Sequence, residues 1–76
     1  MSSAAADLRA LLVEVETLRD TARSHNDAAK ALYAEARRLG VCKGSAWSLL
    51  ASAGERLASA NDLAIELTVK LNEASR

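Results

Sequence analysis

Apolar residues return at alternating steps of three and four along nearly the whole chain, with one interruption. The first series is Leu8, Leu11, Val15, Leu18, Ala22, His25, Ala29, Leu32, Ala36 and Leu39. The second is Ala46, Leu50, Ala53, Leu57, Ala60, Ala64, Leu67, Leu71 and Ala74. Such steps keep one stripe of an α-helix facing the same way over many turns, which is the heptad seam of a coiled coil. His25 is the polar member of the first series.

The interruption, Leu39 to Trp47, carries the signals that end one helix and begin another. Arg37 and Arg38 sit where cations suit the negative end of the helix dipole. Gly40 fits the left-handed residue just past a helix end, with Val41 as its apolar companion. Ser45 is the expected cap of the second helix, and Ser2 or Ser3 that of the first, with Asp7 favoured in its opening turns. Gly54 costs the second helix about 1 kcal/mol relative to alanine. A short connector between long helices makes them antiparallel neighbours. The expected fold is all-α: one domain over residues 1–76, with a helix over about 4–39, a turn at 40–44 and a helix over about 45–75.

Counting away from the turn sets a register. Ala36 opposite Ala46 leads to Leu32/Leu50, Ala29/Ala53, His25/Leu57, Ala22/Ala60, Leu18/Ala64, Val15/Leu67, Leu11/Leu71 and Leu8/Ala74. Alanine layers let the backbones approach and leucine layers fill the gaps. The same register brings Glu14 near Lys70 and Tyr33 beside Trp47.

A hairpin cannot enclose its own seam. With 76 residues, a domain buries only about 60% of its unfolded surface and is marginal by itself. One cysteine, Cys42, makes no internal disulfide, and no cluster of metal-ligand residues is spaced to staple the fold. Stability must then come from association. The expected assembly is a homodimer forming a four-helix bundle, with Leu12, His25, Leu49, Leu57 and Leu63 as its self-association residues. An outer stripe of Ala51, Ala58, Ile65 and Val69 is either a groove ligand for another helix or a tolerant alanine-rich surface.

Ten basic and ten acidic residues cancel, so binding to nucleic acid or a membrane would need a local patch. One such patch is expected at the hairpin tip: Lys30, Arg37, Arg38 and Lys43 around Tyr33 and Trp47. Cations beside aromatic faces suit phosphates and stacked bases. The same residues have a plainer use, serving the helix dipole and closing the end of the core. His25 in mid-seam can fix register, and charging near pH 6.5 would make it a switch. Cys42 lies near cations that raise thiol reactivity, but no partner completes a catalytic set. No glycine-rich phosphate loop, paired carboxylates or nucleophile with a base occurs, so the expectation is a non-enzyme with no catalytic residue, cofactor or metal.

The start of the chain lacks the basic and apolar regions of a signal peptide. The uncharged runs fall far short of the ~20 residues of a membrane span. Cytoplasmic location is expected.

The alternating Ala and Leu layers resemble those of the Rop-type RNA-binding dimers, which implies a dimeric bundle. Gly44-Ser45-Ala46-Trp47-Ser48 is similar to the turn of the secreted WxG hairpins, but lacks their glycine after the tryptophan. Both resemblances are of outline, and neither assigns a role to a residue here. The function that the sequence implies is a small interaction or assembly module that self-associates and regulates or inhibits a larger partner; the alternative is nucleic-acid or nucleotide binding at the tip.

Overall fold

Residues rich in Ala, Leu, Glu and Arg, with no proline anywhere in the chain, lose little side-chain freedom in a helix and never interrupt its hydrogen bonding. The computed structural model describes residues 3–74 and shows two α-helices, α1 (Ser3–Leu39) and α2 (Lys43–Ala74), packed side by side as a hairpin with no strand among the described residues. Of the two serines expected to cap α1, Ser2 lies outside the described residues and α1 begins at Ser3 itself.

The connector is a complete Schellman turn. The Val41 N–H donates to the Ala36 carbonyl at 3.0 Å and the Gly40 N–H to the Arg37 carbonyl at 3.2 Å. These two bonds satisfy carbonyls that a helix end otherwise leaves open. Gly40 takes φ +71°, the left-handed region that glycine enters without steric penalty. Cys42 also takes a left-handed φ, +49°. Two such residues so close together reverse the chain in very few steps. The onset of α2 differs from the expectation at Ser45. The Cys42 carbonyl accepts from the Ala46 N–H at 2.9 Å, so the helix starts at Lys43 and Ser45 lies inside its first turn. The Ser48 hydroxyl donates back to the Gly44 carbonyl at 3.1 Å.

On α2 the expected seam is the observed one as far as Leu71, and Ala74, its last member, is exposed. Ala46, Ala53, Ala64 and Leu67 are buried, with Leu50, Leu57, Ala60 and Leu71 partly buried between them. On α1 only half of the expected seam faces α2. Ala22 is partly buried, and Val15, Ala29 and Ala36 are buried, but Leu11, Leu18, His25, Leu32 and Leu39 are exposed. Their places are taken by the row one residue further on: Leu12, Arg19, Asn26 and Tyr33. The layers Leu32/Leu50, His25/Leu57, Leu18/Ala64 and Leu11/Leu71 are therefore left open on their α1 side. The reason is geometric. α1 carries three rows of seam-like spacing, and one antiparallel neighbour can cover only two of them.

The resulting core is thin. Val15, Ala64 and Leu67 form its densest cluster, with Leu8 and Leu12 against it. Among the buried apolar residues only Val15 and Leu67 exceed alanine in size. Fully burying a side chain of that size contributes about 1.5–3 kcal/mol, so the hairpin holds few such contributions. Glu14 and Lys70, expected as neighbours, form no ion pair among the described residues, and both are exposed.

Candidate functional site: two long faces and a tip

Three regions gather the residues that the sequence singled out. The first is the long face that carries the displaced row of α1. Leu18 and His25 of α1 line an open groove with Ser52, Arg56 and Ser59 of α2. The groove continues toward the tip between Leu32 and Leu49, with His25 and Arg56 again in its wall. Leu18 is 64% exposed and Leu32 49%, and Leu49 and Leu63 are exposed as well. His25, Leu49 and Leu63 thus share this face, whereas Leu12 and Leu57 lie in the hairpin's own seam. Glu35 stands on the edge of this face and receives two hydrogen bonds from the Arg38 guanidinium, the Nε–H reaching Oε2 at 3.1 Å. The cation holds the Glu35 carboxyl below its usual range, and the carboxylate in turn raises Arg38.

The opposite long face is built differently. Leu12, Glu16 and Arg19 of α1 lie across from Asn61, Ile65, Thr68 and Val69 of α2. Asn26, only 8% exposed, is the buried polar residue of this side. A methyl group added at Gly54 would meet its Oδ1 at 3.8 Å, so the glycine lies directly across the seam from it. Arg19 runs its stem along the seam and reaches Asp20 at 3.5 Å, with its Nε buried and without a hydrogen-bond partner. Asp20 also meets Arg23 at 3.8 Å. The Thr68 hydroxyl turns inward to the Ala64 carbonyl at 2.8 Å. Ile65 and Val69 are exposed among these polar groups, as are Ala51 and Ala58 further along α2.

The tip is the third region. Tyr33 and Trp47 meet with ring centroids 5.6 Å apart and planes tilted by 60°, inside the range where aromatic pairs attract beyond their buried area. Trp47 keeps 57% of its surface exposed. Arg38 is engaged by Glu35, while Lys30, Arg37 and Lys43 enter no ion pair among the described residues. Cys42 is exposed as a free thiol.

Two features escaped sequence reasoning. Arg56 stands beside His25 on the leucine face, a pairing that needs the rotated seam of α1. Asn26 replaces His25 as the polar seam residue; its position one step after His25, with Gly54 opposite in the counted register, is the signal that could have found it. No helix among the described residues is long and apolar enough to cross a membrane. No protein-family model, curated protein or solved structure matches this chain, and the reading of its surface rests on its own chemistry.

Proposed function

We propose that this chain is a small, non-enzymatic interaction module that works by associating with itself. One observation carries this reading. α1 has two candidate rows beside its alanine-rich one, and the hairpin covers the more polar of them. Leu12, Arg19, Asn26 and Tyr33 face α2, while Leu11, Leu18, Leu32 and Leu39 face outward. Burying leucine is worth more than burying arginine or asparagine, so an exposed leucine row of this length asks for cover from outside the hairpin. Exposed contiguous apolar patches mark interaction sites. Within this reading the assembled bundle is an adaptor or regulator that presents its remaining surfaces to a larger protein, and the free thiol of Cys42 suits the reducing cytoplasm. Sedimentation equilibrium tests the proposal: the chain should run as an oligomer at micromolar concentration, and a well-folded monomer there refutes it.

The tip supports a second reading, nucleic-acid binding. The exposed Trp47 against Tyr33, beside the unpaired cations Lys30, Arg37 and Lys43, offers a stacking face within reach of phosphate-binding groups. Retention on single-stranded nucleic acid should then fall steeply with salt. Arg37→Glu with Lys43→Glu should abolish it with the helical signal intact. Salt-insensitive passage of the wild type rules this reading out.

A further inference from the structure

We infer that a second copy of this chain docks on the leucine face, antiparallel to the first, with its tip over the first copy's open end. This rests on the self-association reading and specifies its surface and its geometry.

The face reads the same from both ends. On α1 the row is Leu11, Leu18, His25, Leu32, Leu39; on α2 it is Leu49, Arg56, Leu63, with Arg56 level with His25 and Lys70 ending the row on the side away from the tip. A two-fold axis through the His25/Arg56 layer, lying in the plane of the face, lays α1 on α1 and α2 on α2. Leu18 of one copy then meets Leu32 of the other, Leu11 meets Leu39, and Leu49 meets Leu63. A two-fold interface must be self-complementary in this way, each patch being its own partner. The opposite face, which mixes Glu16, Arg19 and Asn61 with Ile65 and Val69, has no such order.

The size also fits. Leu11 to Leu39 spans about 42 Å along the helix, and two helices side by side are about 20 Å wide. That footprint is roughly 800 Å² per copy, the usual size of a specific interface.

Charge decides the direction. Near the tip, Lys30, Arg37, Arg38 and Lys43 stand against Glu35, four basic residues to one acidic. Toward the open end, with Glu16 and Arg19 turned to the opposite face, Asp7, Glu14, Glu66 and Glu73 stand against Arg9 and Lys70, four acidic to two basic among the described residues. Copies with tips together would stack like on like at both ends. Antiparallel copies place the basic tip over the acidic end, and such complementarity selects orientation more than affinity. Three approaches are of like sign: Glu35 toward Glu14 of the second copy, where Arg38 already neutralises Glu35; Lys43 toward Lys70; and Arg56 toward its own copy at the axis, where Glu55 lines the same groove. The central layer, two His25 and two Arg56 among the hydroxyls of Ser52 and Ser59, is polar. A single polar layer between leucine layers fixes register at some cost in stability.

The test compares the two faces and then measures the direction. Leu18→Glu with Leu32→Glu should weaken the dimer at least about 100-fold by sedimentation while circular dichroism stays helical. Ile65→Glu with Val69→Glu, on the other face, should leave it unchanged. Spin labels on Cys42, the only cysteine, should lie about 50 Å apart in the wild-type dimer, twice the distance from the central layer to the tip. A wild-type monomer overturns the self-association reading itself. A dimer indifferent to the leucine-face pair but lost with the Ile65/Val69 pair overturns only the choice of face. A label distance under about 25 Å overturns the antiparallel arrangement, and this reading needs no variant to fold.

Discussion

The two long faces of the hairpin share the same helices and differ by one rotation of α1. On one face the row Leu12, Arg19, Asn26, Tyr33 is pressed against α2; on the other the row Leu11, Leu18, His25, Leu32, Leu39 is left in solvent. The covered face meets most of its polar demands locally, the buried Nε of Arg19 excepted. Gly54 leaves room for Asn26, Asp20 takes up Arg19, and Thr68 bonds within its own helix. The uncovered face is rich in large apolar groups that the hairpin covers only in part. The difference teaches that a helix pair need not bury its most apolar pair of rows when a further surface is to be covered. α1 divides its apolar area between an inner contact and an outer one.

Breaking each contact separately gives the largest contrast. Leu67→Ala removes one of the two buried apolar side chains larger than alanine among the described residues and should cost about 2–4 kcal/mol. Thermal melts should show the loss at every concentration. Leu32→Ala, on the uncovered row, should lower the melting temperature of concentrated samples and leave dilute samples unchanged. Equal losses from both at all concentrations would erase the distinction between the faces.

A smaller effect, of opposite sign, belongs to the covered face. An added Cβ at Gly54 meets only Asn26 Oδ1, at ordinary contact distance. Gly54→Ala should therefore stabilise the hairpin by about 1 kcal/mol through helix propensity, read as a rise in the denaturant midpoint at unchanged slope. A loss instead would mean that Asn26 has no room to accept the methyl group.

The smallest effect lies at the edge of the leucine face. Arg38 holds the Glu35 carboxyl below its usual range, so the pair contributes at neutral pH and its contribution is lost as pH falls through the carboxyl's titration in the folded chain. Glu35→Gln should lower the helical signal slightly at neutral pH and match the wild type in acid. A difference that persists in acid would assign the effect to packing instead of charge.

Much of this architecture is legible in the sequence, and the part that is not has a clear cause. The α2 seam follows from its spacing because alanines and leucines fill it without a polar member, from Ala46 to Leu71. The Tyr33–Trp47 contact follows from counting outward from a turn fixed by Gly40. The α1 seam does not follow, because Leu11 and Leu12 are equally apolar but the row that Leu11 begins is the more apolar of the two, so periodicity points to the row that the hairpin leaves exposed. On the covered side the antiparallel neighbour sets Gly54 directly opposite Asn26. The helix start at Lys43 escaped for a related reason. Ser45 has the chemistry of a cap, but Cys42 has entered the left-handed region and opens the helix before it.

The Schellman turn has a consequence for time as well as shape. Closing a chain on itself costs least entropy where the loop is shortest, and here the shortest loop is already hydrogen-bonded at Ala36, Arg37 and Cys42. Chains dominated by such local contacts fold fast. The hairpin should zip from Trp47 outward, and Val15 with Leu67, far from the turn, should join last. A substitution at Gly40 would then slow folding, while one at Leu67 would mainly speed unfolding. The aromatic pair at the tip makes the first of these events visible, since Trp47 fluorescence should change before the helices have finished meeting.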